Sequence, residues 1–230
     1  MRAVLFDLDG TLLDIDLALF LRVYFGALGP VIATVTGSTP SAAIEAVIDA
    51  TNAMMEPHPD ETNRQAFDAR FTTLTGIDLR RQDGIITDFY TRVFPGLGAG
   101  LGPTPGARRA VETAADTGLL VAVATNPIFP SAAVLERIRW AGLGDVPFDL
   151  VTTYEIMHAC KPDPAYFLEA ASMLGVEAGE CLMVGDDPVL DLGAAHAGMR
   201  TFFVGPRGGK SADYRGSLDE LADLLPKLSI

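Results

Sequence analysis

Short, continuous apolar runs recur along the chain, and from residue 104 onward they alternate with segments of helical spacing. The runs are AVLF (3–6), LLVAVAT (119–125), FDLVTT (148–153), CLMV (181–184) and TFFV (201–204). Continuous apolar runs, without the alternation of polar and apolar residues seen in half-exposed strands, are typical of strands buried on both faces. Their alternation with helices predicts an α/β fold built on a parallel sheet.

Capping signals mark where the helices between these runs begin. Thr104, Asp163 and Asp187 each stand directly before a proline, which is the arrangement of an N-cap residue followed by proline at the first helical position. Ser217 and Glu220 have the spacing of a capping box. We therefore expect helices to begin at these four places.

Residues 14–103 follow a different pattern. Apolar positions recur at helical spacing from Leu17 to Ile32, again over 44–48 and 67–74, and residues 83–94 are typical of a fourth helix. No convincing strand is found there, and the segment is too long for a simple crossover. It is predicted to be an inserted all-helical cap subdomain (14–103) on a core made of residues 1–13 and 104–230. The glycine-rich PGLGAGLGP (95–103) is predicted to be the return linker and hinge.

Single polar residues in the insertion carry little signal. Asn52, His58, Asn63 and Arg70 are interpreted as solvated surface.

Outside the insertion, VGPRGGKS (204–211) lacks the first glycine of a nucleotide-binding P-loop and is predicted to be an exposed loop.

Composition narrows the class of partner. The 230-residue chain is 49% hydrophobic, which suffices for a proper core, and its formal net charge is −13. Nucleic acids and anionic membranes are bound through clustered Lys and Arg, so neither is an expected partner. No leader is recognisable and no apolar run approaches the ~20 residues of a membrane span. We expect a soluble cytoplasmic monomer or homodimer.

Polar side chains collect where the predicted strands end. Asp7 and Asp9 follow the first strand, Thr125 and Asn126 the second, and Lys161 the third. Three carboxylates, Asp186, Asp187 and Asp191, follow the fourth strand. The carboxyl ends of parallel strands form one crevice, so these groups can converge although they are far apart in sequence.

The chemistry of these groups is coherent. A cluster of carboxylates calls for a hard cation, and oxygen ligands favour Mg²⁺. A hydroxyl, backbone N–H groups and a lysine beside that cation would hold an anion, as in a phosphoryl-transfer site. One aspartate can act as the nucleophile and a second, two residues on, as general acid and base.

The segments DLDGT, VAVATN, KPDP and VGDDPVLD resemble, in order and spacing, the four motifs of the haloacid dehalogenase-like (HAD) hydrolase superfamily. The resemblance implies a Rossmann-like core with a helical cap that selects the substrate. It also implies that Asp7 is the nucleophile and a Mg²⁺ ligand, and that Asp9 is the general acid/base and ligates the metal through its backbone carbonyl. Thr125, the Asn126 backbone and Lys161 would bind the phosphoryl group.

The remaining carboxylates receive different roles. Asp186 would complete the metal site, and Asp191 would support it from the second shell or through water. Asp187 is also predicted for the second shell, although its own position is better explained as an N-cap because Pro188 follows it.

Asp9 also bears on the reaction. The dehalogenases of the superfamily, as the family pattern implies, lack a carboxylate two residues after the nucleophile, because a halide leaving group needs no proton. The sequence therefore favours hydrolysis of the phosphate monoester of a small metabolite. Three alternatives stay open: a sugar-phosphate mutase of the same superfamily, a non-enzymatic HAD-like binding protein, and a phospho-accepting receiver domain. The receiver domain is disfavoured by the motif order and by the insertion.

Overall fold

A six-stranded, all-parallel sheet forms the centre of the computed structural model, which describes residues 1–205 and 209–228. The strands of the chain are β1 (Ala3–Phe6), β2 (Leu13–Asp14), β3 (Gly102–Pro103), β4 (Leu120–Val123), β5 (Leu150–Val151), β6 (Cys181–Gly185), β7 (Arg200–Val204) and β8 (Tyr214–Gly216). Their order in the sheet is β5-β4-β1-β6-β7-β8, so β1 lies between β4 and β6. The predicted α/β fold is confirmed.

Each of the five apolar runs contains a strand. The run at 148–153 is mostly loop, since only Leu150 and Val151 pair with β4. Strand β8 was not predicted from its sequence, YRG, because an edge strand at the surface needs no apolar run.

Helices flank the sheet and fill the segment between β2 and β3. They are α1 (Leu17–Thr36), α2 (Pro40–Ala53), α3 (Asn63–Thr75), α4 (Asp83–Asp88), α5 (Ala107–Asp116), α6 (Ser131–Trp140), α7 (Pro164–Met173) and α8 (Leu218–Leu228). Neighbouring residues of β1 point to opposite faces of the sheet, so Val4 and Phe6 join one buried cluster while Ala3 and Leu5 join the other. The sheet is thus covered on both sides, as its apolar strands require.

The insertion is largely helical, as predicted, but its two ends pair with each other. Leu13 lies opposite Pro103 and Asp14 opposite Gly102 in a short antiparallel ladder. The subdomain boundaries 1–13, 14–103 and 104–230 stay a prediction.

Part of the predicted hinge is packed rather than free. Phe94–Gly98 is a 3₁₀ helix, and a Cβ built on Gly98 would lie 2.2 Å from Trp140 Cε2. The Phe94 ring stacks on the Trp140 ring with centroids 5.1 Å apart. A glycine at position 98 therefore allows the chain to pass against α6.

Two of the four predicted helix starts are confirmed. Asp163 caps α7, accepting a hydrogen bond of 2.8 Å from the Ala165 N–H. At α8, the Ser217 N–H donates to Glu220 Oε2 and the Glu220 N–H to Ser217 Oγ, which completes the capping box.

The other two predicted starts are wrong. Helix α5 begins at Ala107, with Gly106 rather than Thr104 as its N-cap. After Asp187 the chain forms a turn, and a 3₁₀ helix follows only at Leu192–Ala197. Asp187 Oδ1 accepts from the N–H groups of Val189 and Leu190, so the residue closes a turn instead of starting an α-helix.

The expectation that no apolar stretch reaches the length of a membrane span is wrong for α1. This 20-residue helix has a mean hydropathy of 1.7 over its best window, enough by length and composition alone to cross a membrane, and 28% of that window is buried. Its residues Phe20, Tyr24, Leu28 and Ile32 pack in the apolar core. Core helices and membrane spans can have the same length and mean hydropathy.

The loop at 204–211 is described only in part. Arg207 lies outside the described residues, and Lys210 is exposed, in agreement with the predicted surface loop.

Candidate active site

Asp7 leaves the sheet at the tip of β1, between the ends of the two neighbouring strands. Phe6 pairs with Val123 on one side and with Val184 on the other. The Asp7 N–H still donates to the Val184 carbonyl at 2.8 Å, so its backbone is fixed by the sheet while its side chain lies beyond the edge. The carboxylate is almost buried.

Lys161 joins the loop before α7 to this strand tip. Its Nζ donates to Asp7 Oδ1 at 2.8 Å and to Asp191 Oδ1 at 2.6 Å, and the side chain is 1% exposed. Burial by itself would lower the pKa of this ammonium, but the carboxylates of Asp191 and Asp7 outweigh burial and raise the pKa above its ordinary value. Lys161 therefore carries its positive charge in the site.

Three carboxylates meet around that ammonium. Asp7, Asp186 and Asp191 each present an oxygen, and these oxygens lie within 4.8 Å of one another. Burial is the main cause that raises the pKa of Asp7 well above its usual range, although Lys161 opposes it. Burial likewise raises the pKa of Asp186, opposed by the hydrogen bond of 2.9 Å from Thr11 Oγ1. Three carboxylates against one lysine leave an excess of negative charge.

This donor set fits a hard divalent cation. Oxygen-only ligands at the sheet edge suit Mg²⁺, and a cation there would offset the repulsion among the carboxylates. Glycine at position 10 allows the Asp186 carboxylate to approach the backbone, since a Cβ there would lie 2.5 Å from Asp186 Oδ2. The φ of Gly10 is +88°, in the left-handed region that favours glycine. Of the predicted metal ligands, the structure brings Asp7 and Asp186 together and adds Asp191 to the same cluster.

The Asp9 carboxylate lies apart from that cluster. Its Oδ2 accepts a hydrogen bond from Nη1 of Arg137, a buried residue of α6. The metal contact predicted for Asp9 concerns its backbone carbonyl and stays a prediction. The two aspartates of the DLD segment thus face different cations, Lys161 for Asp7 and Arg137 for Asp9.

Thr125 and Asn126 follow the end of β4, the strand that pairs with β1. The Thr125 carbonyl accepts hydrogen bonds from Thr152 Oγ1 at 2.8 Å and from Tyr166 Oη at 2.9 Å, which fixes this residue. The Asn126 side chain accepts from the Lys161 N–H at 3.1 Å. The two loops that carry the predicted anion-binding groups are therefore tied to each other.

Asp187 and Asp191 form a small network at the tip of β6. Asp191 Oδ2 accepts from the Asp187 N–H at 2.9 Å, while its Oδ1 faces Lys161. Gly185 is required here, since a Cβ on it would lie 2.1 Å from Asp191 Oδ2. Asp187 thus shapes the turn, and Asp191 is directed into the carboxylate cluster.

The family model for haloacid dehalogenase-like hydrolases matches residues 1–198. This chain belongs to the haloacid dehalogenase-like hydrolase family. The matched range covers most of the chain, including the strand tips that carry Asp7, Thr125 and Asp186 and the loop that carries Lys161.

Several relatives of this hydrolase are phosphatases. It is 28% identical over 199 residues to a phosphoglycolate phosphatase of Xanthomonas campestris pv. campestris, covering 86% of this chain and 80% of that protein. It is 30% identical over 194 residues to an N-acetylmuramic acid 6-phosphate phosphatase of Pseudomonas aeruginosa, covering 81% and 74%. The crystal structure of a HAD phosphatase from Thermococcus onnurineus superposes with a TM-score of 0.61 at 28% identity, covering 98% of both chains. The hydrolase is a phosphatase-type member of its family.

Sequence reasoning missed Arg137. The segment LERIRW is typical of a solvated helix face, yet the Arg137 side chain is 0% exposed. A signal was present, because Arg137 lies three or four residues from the buried residues Ala133, Val134 and Ala141. A charged residue on an apolar stripe indicates a buried partner.

Asn63 was wrongly assigned to the surface. It is fully buried, and its Nδ2 donates to the carbonyls of Pro127 at 2.9 Å and Ala159 at 3.3 Å. These carbonyls belong to the loops that carry Asn126 and Lys161. The first residue of α3 therefore fastens the helical insertion to both loops of the candidate site.

A cavity of about 340 Å³ lies in the helical insertion of this hydrolase and extends to the loop after Asn126. It is lined mostly by apolar and aromatic side chains of α1, α2 and α3, together with Phe129 of the loop after β4. The hydroxyls of Tyr24 and Tyr90, 2.7 Å apart, share its wall. The Arg137 guanidinium carbon lies 4.3 Å from the Phe129 ring centroid, so Arg137 contacts both Asp9 and a residue of the cavity wall.

Proposed function

We propose that this hydrolase removes phosphate from the monoester of a small metabolite in a Mg²⁺-dependent reaction that passes through a phospho-aspartyl intermediate. The observation that carries the proposal is the contact of Lys161 with both Asp7 and Asp191 at the carboxyl edge of the sheet, with Asp186 in the same cluster. At this edge lie a carboxylate that can act as a nucleophile (Asp7), a fixed cation (Lys161) and a set of carboxylates that can bind a metal.

In the first half-reaction, the Asp7 carboxylate attacks phosphorus and the bond from phosphorus to the ester oxygen breaks. The ester oxygen leaves with the bonding electron pair and takes a proton from Asp9, which becomes a carboxylate. Lys161 holds Oδ1 of Asp7, and among the described residues no hydrogen bond to Oδ2 is present. We therefore assign the attack to Oδ2.

In the second half-reaction, a water molecule attacks phosphorus of the phospho-aspartyl group. Asp9 accepts a proton from that water, and the bond from phosphorus to the Asp7 oxygen breaks. Inorganic phosphate leaves, while Asp7 and Asp9 return to their starting states.

The phosphoryl oxygens are held by Thr125, the Asn126 backbone and Lys161. Tyr166 and Thr152 fix the Thr125 carbonyl, and among the described residues no hydrogen bond involves the Thr125 hydroxyl. That hydroxyl can therefore donate to a phosphoryl oxygen. Positioning and charge neutralisation of this kind supply most of the rate in phosphoryl transfer.

Mg²⁺ would be held by Asp7, Asp186 and the Asp9 backbone carbonyl, with Asp191 beside them. When bound, it supplies positive charge that neutralises the phosphoryl oxygens and offsets the repulsion among the carboxylates. The fit rests on the three oxygens within 4.8 Å of one another and on the close approach of Gly10 to Asp186.

The lining of the cavity favours a substrate whose alcohol portion contains hydrocarbon groups. Its mostly apolar lining favours such a group, while Arg64, Asp68 and Arg80, together with the paired hydroxyls of Tyr24 and Tyr90, add charged and polar contacts. Burial raises the pKa of Tyr24 to about 12, so this hydroxyl stays neutral at physiological pH.

Release of inorganic phosphate from a panel of phosphomonoesters, with Mg²⁺ or with a chelator, tests the proposed function. We expect turnover with Mg²⁺ only, loss of turnover in Asp7→Asn, and full turnover in Asp116→Asn, an exposed aspartate at the end of α5. Turnover that survives in Asp7→Asn or in the chelator would contradict the mechanism. Interconversion of sugar phosphates without phosphate release would instead identify the mutase.

A further inference from the structure

Arg137 is a buried cation that the proposed mechanism does not use. Its side chain is 0% exposed, its Nη1 donates to Asp9 Oδ2, and its Nε donates to the Ala133 carbonyl at 3.4 Å. Removing a guanidinium from water is unfavourable by several kcal/mol, and a buried ion pair is often no more stable than well-packed apolar residues. Stability alone is therefore a weak reason for this arrangement.

The guanidinium is held on a second side by an aromatic ring. Its carbon lies 4.3 Å from the ring centroid of Phe129, at the distance of a cation–π contact. Phe129 is three residues beyond Asn126 in the loop that follows β4. Helix α6 and this loop thus hold the Arg137 guanidinium in place together. A guanidinium held in this way can orient the Asp9 carboxylate that it contacts.

Two atoms of this ion pair have no hydrogen-bond partner. Asp9 Oδ1 and Arg137 Nη2 are both buried and unpartnered among the described residues. Leaving a buried polar atom unpaired is unfavourable, so such atoms in a site call for a partner that arrives with the substrate. A hydroxyl or a water molecule would pair with Asp9 Oδ1, and the proposed reaction brings both to Asp9.

We propose that Arg137 is a positioning residue for Asp9. Its guanidinium anchors Oδ2 and thereby leaves Oδ1 as the oxygen that exchanges a proton with the leaving group and then with water. This role rests on the proposed phosphomonoesterase function and adds a residue from outside the four motif segments.

The role predicts a defect that depends on the leaving group. An alkoxide leaves slowly unless it is protonated, whereas p-nitrophenolate leaves readily without a proton. Arg137→Met should therefore lower kcat/KM for ethyl phosphate at least ~10-fold more than for p-nitrophenyl phosphate, within the range that general acid catalysis contributes. The ratio kcat/KM is the right measure, because it reports the steps up to departure of the alcohol and not the later hydrolysis of the phospho-aspartyl group.

Two other roles give different results. If Arg137 only supports the fold, or if it binds the phosphoryl group directly, kcat/KM should fall equally for both esters, and in the second case the inhibition constant of inorganic phosphate should also rise. Either uniform result would overturn the positioning role. Arg139→Met is the matched control, since Arg139 lies on the same helix, is exposed and pairs with Glu136, and we expect it to change neither ester.

A double-mutant cycle with Asp9→Asn completes the test. If Arg137 acts through Asp9, adding Arg137→Met to Asp9→Asn should lower kcat/KM for ethyl phosphate no further, whereas independent effects would contradict the proposal. The double variant also leaves no unpaired buried charge, so it remains informative if Arg137→Met alone fails to fold. Arg137→Lys, which keeps one donor for Oδ2, should recover part of the activity toward ethyl phosphate.

The two proposals can fail separately. Wild-type protein that releases phosphate from no ester would contradict the phosphomonoesterase function itself. Wild-type turnover combined with a uniform loss in Arg137→Met would contradict only the role of Arg137.

Discussion

Lys161 Nζ lies 2.8 Å from Asp7 Oδ1 although the two residues are 154 positions apart in the sequence. The same ammonium contacts Asp191 at 2.6 Å, so one buried cation joins the first strand to the last carboxylate of the site. This contact makes the charge balance of the site depend on a single residue.

Lys161→Met should abolish activity and destabilise the fold. Removing one partner of a buried ion pair leaves uncompensated charge, which lowers the free energy of unfolding by about 3–5 kcal/mol. Loss of a fixed charge at the phosphoryl group should lower kcat at least ~100-fold. Urea unfolding and phosphate release measure the two effects. Lys227→Met, an exposed position on α8, is the control, and equal behaviour of the two variants would contradict the assigned role.

Asp7→Asn should remove activity yet raise the stability of the protein in chelator. Burial raises the pKa of Asp7 well above its usual range, so the folded state disfavours the ionised carboxylate more than the unfolded chain does. Neutralising it should add on the order of 1 kcal/mol, which corresponds to ~2–4 °C in Tm for a chain of this size. Lys161 retains Asp191 as a partner.

The sign of the pH dependence follows from the same shift. Because the folded-state pKa of Asp7 is raised, this residue favours the folded state below its unfolded pKa, and that contribution is lost as the pH rises toward the folded value. Thermal unfolding in chelator should therefore show a smaller gain from Asp7→Asn at pH 4 than at pH 7. Mg²⁺ should raise the Tm of the wild type and affect Asp7→Asn less. A gain that is independent of both pH and Mg²⁺ would argue against this origin.

Gly10→Ala should impair both the fold and the metal site. Its φ of +88° is unfavourable for alanine by roughly 1–2 kcal/mol. The new Cβ would also lie 2.5 Å from Asp186 Oδ2. Gly76→Ala is the matched control, since Gly76 has φ +73° and no atom within 4 Å of its Cβ position.

Both glycine variants should lose similar stability from the backbone. Only Gly10→Ala should raise the Mg²⁺ concentration for half-maximal activity, by ~10-fold or more, as expected when the groups around a metal ligand are displaced. A Mg²⁺ titration of phosphate release measures this. An unchanged Mg²⁺ requirement in Gly10→Ala would place the metal away from Asp186.

Asn63→Ala should loosen the attachment of α3 to the site loops. The carbonyls of Pro127 and Ala159 would lose their donor, which lowers the free energy of unfolding by about 1–3 kcal/mol. Asn52→Ala, at an exposed position of α2, should change it little. Urea unfolding compares the two variants, and equal midpoints would contradict the structural role of Asn63.

Much of the candidate site could be predicted because it follows from sheet geometry. Asp7, Thr125 and Asp186 lie at or just after the ends of apolar runs, and the carboxyl ends of parallel strands meet at one edge. Lys161 follows a run that is mostly loop, yet its position after β5 still brings it to that edge. These positions depend only on chain direction and strand order.

Other features depend on contacts that no local pattern contains. The direction of Arg137 is set by the packing of α6 beneath Phe129, and the burial of Asn63 by two loops more than 60 residues away in sequence. Asp187 and Pro188 have the signature of a helix start, but the Asp191 carboxylate takes the Asp187 N–H and a turn forms instead. Strand β8 pairs at the sheet edge without an apolar run.

The short ladder between β2 and β3 has a topological consequence. Asp14 and Gly102 lie side by side, so the chain departs from the sheet-forming part and comes back through one narrow neck. The 87 residues between these two positions therefore form one continuous insertion whose two ends lie next to each other. A two-residue turn would close the same neck, because antiparallel neighbours need no more than that. The segment that lines the cavity thus begins and ends at one point of the sheet-forming part, so a change in its length leaves the order of the six parallel strands unaltered.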